Sequence, residues 1–178
     1  MSLVLPASFA DVSNLREVPD HQEVYFSAIS GICLIIEVVE YQRDVGDAEA
    51  ARFFWDDLAS DNAASETRAW VDLTNDVKLV AVGGALRALD ARVGPLVACG
   101  GVQIMPTAHD RAKAARIFLG VVRLPSVGSE LVISVSDPVN DDDAAVAGGE
   151  KQGVEAEAED VFHSALSMLA IHDWALFE

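Results

Sequence analysis

The chain has 178 residues, 51% of them apolar, and carries 29 acidic side chains against 12 basic ones for a formal charge of −17. So apolar a composition excludes an intrinsically disordered chain, and so acidic a one argues against nucleic acid and anionic membrane, both of which are engaged through Lys and Arg. What it fits is one folded domain over residues 1–178 with a basic protein as complementary partner, although solubility alone is a sufficient reason for the charge.

The N-terminus, MSLVLPASF, lacks the basic start of a signal peptide, and no apolar run approaches the ~18 residues needed to cross a bilayer. Cys33 and Cys99 are far apart in apolar surroundings, which suits a reducing compartment and structural burial. The expectation is a soluble intracellular monomer without a cofactor. Leu3–Leu5 reads as an edge strand stopped by Pro6. Ser13–Leu15 can form one helical turn, Pro19 imposes extended or turn geometry on Val18, and Glu23–Phe26 reads as a short strand. After Gly31, the β-branched run Ile32–Val39 reads as a strand buried on both faces.

Gly46-Asp47 looks like a helix start, with Asp47 as the cap and Ala48, Ala51, Trp55 and Leu58 as the apolar stripe. Asp56, Asp57 and Asp61 fall near the end of that helix, where its dipole disfavours carboxylates, so they need partners or full solvation. Trp70–Leu73 and Lys78–Val82 are expected strands, and Ala85–Ala91 a short helix. Pro95–Met105 is expected to be a strand bent or bulged at Gly100-Gly101. Ile117–Leu124 reads as doubly buried and Leu131–Val135 as half-buried, joined by a hairpin-sized turn at Pro125–Gly128. Asp137–Gly153 reads as an acidic loop. Val154, Ala158, Val161, Phe162, Ala165 and Leu169 trace a helical stripe, with Glu155, Glu157, Glu159 and Asp160 suitably placed in its first turns. Apolar strands with short links between two helices give an α+β fold, an antiparallel sheet sandwiched between α-helices.

Chemistry is hard to find in these residues. There is no P-loop, H-E-x-x-H or G-x-S-x-G motif, and His21, His109, His163 and His172 do not have metal-ligand spacing. His163 and His172 are expected on the last helix facing different directions, with His172 serving its terminal carbonyls. The adjacent carboxylates Asp56 and Asp57 diverge on a helix, and Asp141–Asp143 lacks the glycine and terminal Glu of a calcium loop. The expectation is therefore a protein without enzymatic activity; a hydrolase built from scattered His and Asp would need them grouped in one pocket.

The polar stretch Asp11–Val24, DVSNLREVPDHQEV, is more informative. It interleaves Asp11, Glu17, Asp20 and Glu23 with the single guanidinium of Arg16, and it suits recognition of a basic protein. Each residue also has a plainer reading. Asp20 follows a proline in ordinary turn chemistry, Glu23 can blunt an edge strand, and Arg16 can tie a carboxylate bidentately. Glu37 interrupts the apolar ICLIIEVVEY, where an unpaired buried carboxylate costs several kcal/mol. A regular strand sends Glu37 and Glu40 to opposite faces, so a shared surface requires a bulge or twist near Val38-Val39.

The stretch DVSNLREVPDHQEV, followed in order by IIEVVEYQ, FFWDDL, LGVVRLPSVGSELVISVSDP and LAIHDWALF, resembles the Ran guanine nucleotide release factor family. The resemblance implies a fold like that of the photosystem subunit PsbP. It implies binding to the GTPase Ran, promotion of nucleotide release, a part in nuclear protein import, and residence in nucleus and cytoplasm. It also implies that acidic surface residues contact Ran. By motif position these are Asp11, Asp20 and Glu23, then Glu37 and Glu40, the last two brought together by a strand irregularity; the cation Arg16 is a further candidate contact beside them. The alternative is an accessory or small-molecule-binding module of PsbP-like fold without Ran activity.

Overall fold

The largely apolar run Ile117–Leu124, interrupted only by Arg123, lies near the middle of the sheet, as expected of a strand covered on both sides. In the computed structural model, which describes residues 1–76, 92–106, 113–139 and 154–177, this run belongs to β6 (Lys113–Leu124). Strand β6 pairs with β5 (Leu96–Met105) on one side and β7 (Ser129–Val139) on the other. The remaining strands are β1 (Phe9–Asp11), β2 (Gln22–Ser27), β3 (Cys33–Glu40) and β4 (Glu66–Asp72). Together they form a seven-stranded sheet in the order β1-β2-β3-β7-β6-β5-β4, antiparallel at each pairing.

After β3 the chain passes through helix α1 (Ala50–Asp61). It then lays down β4 to β7 as a meander whose last strand returns beside β3. Helix α1 covers one face, packing Ala51, Phe54 and Trp55 on Val97, Cys99, Leu119 and Val121. Helix α2 (Val154–Met168) covers the other, packing Val161, Phe162, Ala165 and Leu166 on Leu34, Ile36, Leu131, Ile133 and Val135. Phe162 stacks on Phe118 at 5.7 Å. The architecture is the expected α+β sandwich.

Close approach is needed at Gly101, where an added Cβ would stand 3.0 Å from both the Arg68 carbonyl oxygen and the Trp55 indole. The expected irregularity at Gly100-Gly101 falls on the neighbouring strand instead. Strand β5 pairs with β6 without a break, and β4 shifts register between Arg68 and Val71, opposite the glycines. Without a Cβ at Gly101, the bulged β4 backbone and Trp55 both press close to β5.

Several other expectations are revised. Leu3–Leu5 is not a strand; the N-terminus is held by a bridge from Ser2 to Ala170 and by the Ser2 hydroxyl 2.6 Å from His172 Nε2. His172 accordingly lies beyond the end of α2, not on it. Strand β3 buries Leu34 and Ile36 on the α2 face but is only half-covered on the other, because α1 sits over β5 and β6. Asp47 does not cap α1. It accepts from Arg123 Nη1 at 2.9 Å, while the helix begins after Glu49 with no side-chain cap. Asp137 is not in a loop but is buried on β7 beside Arg116. Trp70–Asp72 falls in β4, whereas Lys78–Val82 and Ala85–Ala91 lie outside the described residues.

A buried polar staple ties the loop before α1 to the β6–β7 hairpin. Arg123 and Glu130 are 1% and 0% exposed and meet at 3.0 Å. Arg123 donates to the carbonyls of Gln42 and Val45, Glu130 accepts from the Gln42 amide, and Tyr41 lies over the guanidinium. Two buried charges are tolerated because these bonds satisfy most of their polar atoms.

Candidate functional site: carboxylates at the β1–β2–β3 end of the sheet

Asp11 ends β1 and stops it. Its side chain accepts the Ser13 amide at 2.8 Å and starts a 3-10 turn over Val12–Asn14, the short helical turn expected there. The Ser13 side chain, and then its backbone amide, hold the Asp11 carboxyl below the usual range. Opposite it on β2 is Tyr25, whose hydroxyl donates to Glu23 Oε2 at 3.0 Å. Burial, the Glu23 charge and its hydrogen bond, and the Asp11 charge together push the Tyr25 hydroxyl up to about 12. Asp11 and Glu23 are therefore brought together around one tyrosine, on the α2 face of the sheet.

Asp20 is exposed in the turn that feeds β2, which is closed by the Gln22 amide donating to the Pro19 carbonyl at 2.9 Å. Arg16 is also exposed. Its charge reaches Cys33, partly offsetting the rise that burial imposes on that thiol. The bidentate carboxylate tie considered for Arg16 is absent among the described residues.

Glu37 stands on the opposite face from Glu23. It lies across from Gln22, whose amide donates to Oε1 at 3.0 Å, and His21 Nε2 approaches the same oxygen at 3.2 Å. Glu40, exposed at the end of β3, belongs to the α2 face. The bulge expected near Val38-Val39 does not exist: β3 and β7 stay in register from Cys33 to Glu40. Strict alternation then keeps the two glutamates on opposite faces. The candidate set shares one end of the sheet but divides between its two sides, with Asp20 exposed in the turn before β2.

Glu37 also lines a groove of about 190 Å³ between α1 and the uncovered side of β3 and β7. Ile35, Val39, Leu119 and Val132 line it from the sheet, Leu58 lines it from α1, and Asp57 and Asp61 of α1 stand on its other wall. Both aspartates are exposed, and neither has an ion-pair partner among the described residues, unlike Asp56, which Arg52 holds at 3.0 Å. The sequence placed Asp57 and Asp61 near a helix end but gave no hint that they face Glu37. Their i,i+4 spacing was the one available sign that they share a helix face.

The model of a family described as Ran-interacting Mog1 protein matches residues 1–138. A Ran guanine nucleotide release factor from Bos taurus is 30% identical over 99% of this chain and 91% of its own length. Its counterpart from Danio rerio is 31% identical over 78% of this chain and 74% of its own length. The crystal structure of the Saccharomyces cerevisiae Ran-binding protein Mog1p superposes with a TM-score of 0.70 at 22% identity, covering 99% of this chain and 92% of that one.

Proposed function

The chain belongs to the Mog1 family of Ran-interacting proteins, and from that membership we propose that it binds the GTPase Ran, promotes release of its guanine nucleotide and serves nuclear protein import. The observation that carries this reading is the match of the family model across residues 1–138, which spans the Asp11–Val24 signature and β1 to β3. The contact surface we assign is the end of the sheet formed by those strands. Asp11, Asp20 and Glu23 supply its centre, Glu37 and Glu40 its flanks, and Arg16 a single opposite charge.

The protein acts by binding rather than by covalent chemistry. A GTPase holds its nucleotide with backbone N–H groups, a lysine and Mg²⁺. A carboxylate surface competes with phosphate for such a lysine or disfavours the metal. In either case release requires tighter binding to nucleotide-free Ran than to the loaded form, because a ligand shifts an equilibrium only by its differential affinity. Action as a monomer, in nucleus and cytoplasm, without nucleic acid or membrane, belongs to the same reading.

The test is release of a fluorescent guanine nucleotide from Ran under excess unlabelled nucleotide. The native protein is expected to accelerate release. Asp20→Lys and Glu23→Lys are expected to lower affinity for Ran about tenfold, roughly 1.4 kcal/mol, with the larger deficit at low salt. Native-like release and binding by well-folded Asp20, Glu23, Glu37 and Glu40 charge reversals would overturn the assigned surface.

A further inference from the structure

We propose that the groove between α1 and the half-covered side of β3 and β7 receives one arginine or lysine side chain of the bound partner, gripped by Glu37 from the sheet and by Asp57 and Asp61 from the helix. The inference rests on the reading of Ran as the partner, and adds to it two helix residues and a mode of contact.

The groove's chemistry selects its occupant. Ile35, Val39, Leu58, Leu119 and Val132 offer apolar surface, while the three carboxylates stand on facing walls. An apolar side chain would strip water from those carboxylates and give nothing in return, which is costly. An anion would be repelled. A divalent metal needs several oxygens converging on one point, and among the described residues no three His, Cys, Asp or Glu side chains are grouped closely enough to hold one. A long cationic side chain meets both demands, because its methylene stem lies on apolar surface while its head reaches charged groups.

The helix itself carries a second sign. Asp57 and Asp61 are one turn apart, a like-charge spacing that costs a few tenths of a kcal/mol, and they sit in the half of α1 where the dipole disfavours carboxylates. Among the described residues neither is relieved by a cation, although Arg52 relieves Asp56 one position away. Among the described residues Glu37 has only Gln22 and His21, which approach one of its oxygens, Oε1. An external guanidinium or ammonium placed between the walls removes the repulsion on the helix side and pairs with the wall opposite.

The experiment is association and dissociation kinetics with Ran for the isosteric double variant D57N/D61N, with Asp20→Lys alongside. A side chain seated in the groove predicts dissociation about tenfold faster with a smaller change in association. A change confined to association and salt dependence means solvated charges acting at a distance, and overturns the insertion. If Asp20→Lys weakens binding while D57N/D61N leaves dissociation unchanged, the groove proposal falls and the assignment of Ran as partner stands. If neither substitution changes binding, the groove proposal and the assigned contact surface both fall, whereas native protein that fails to bind Ran at all overturns the reading of Ran as the partner. Ser134→Arg provides an independent arm, since Ser134 lines the groove and an arginine there fills it from within. It is expected to weaken Ran binding with the thermal midpoint unchanged or raised. Unaltered Ran binding by the folded Ser134→Arg protein overturns the proposal.

Discussion

Tyr25 is the point at which the charges of the Asp11–Val24 stretch meet the sheet, and its titration reports their arrangement. The folded protein holds its proton more tightly than an unfolded chain does, up to about 12 against an ordinary value of 10.0. Its contribution to stability is therefore complete below about pH 10 and is lost as pH rises toward 12. Tyr25→Phe is expected to flatten the loss of stability across that window in urea titrations. Glu23→Gln is expected to lower the Tyr25 midpoint in an ultraviolet pH titration, because both the charge and the acceptor are weakened. An unmoved midpoint in Glu23→Gln would mean the Glu23 contact does not form in solution. At this scale the sequence was partly readable. Asp11 before a short helical turn, and the turn chemistry around Asp20, follow from local rules. Asp47 did not, because a distant buried cation, Arg123, competes for it and wins over a local cap.

The Arg123–Glu130 staple fixes where the chain leaves β3 and enters α1, and hence where one wall of the groove stands. Arg123→Met is expected to cost about 3–5 kcal/mol in chemical denaturation, since it leaves Glu130 buried without its cation. Replacing both partners by apolar residues is expected to restore most of that loss; a double variant as unstable as the single would show that the hydrogen bonds to the loop matter more than the pair. Gly101→Ala is expected to cost about 1–3 kcal/mol by overpacking, because backbone on one side and a fully buried Trp55 on the other leave no room. Elements with a predominantly apolar pattern, such as Ile117–Leu124 and Leu131–Val135, were legible because alternation and apolar runs report burial directly, although the buried Arg123 within the first was not. What the pattern cannot report is how far a helix reaches across a sheet. The run in β3 looked doubly buried, yet α1 stops short of it, and that shortfall makes the groove. The expected bulge at Val38-Val39 was required by a supposed shared surface, not by the residues, whose regular alternation argued against it.

At the scale of the molecule, an excess of 17 negative charges makes long-range attraction to a basic partner a general property, so salt alone does not locate the interface. Location has to come from which backbone becomes protected. The measurement that bears most directly on the central claim is hydrogen exchange of this chain alone and bound to nucleotide-free Ran. Slowed exchange is expected across residues 11–24, in β3 and in the second half of α1, the segments carrying the carboxylates assigned to Ran and to the groove. Protection confined to α2 and β4, with residues 11–24 exchanging as in the free protein, would contradict it.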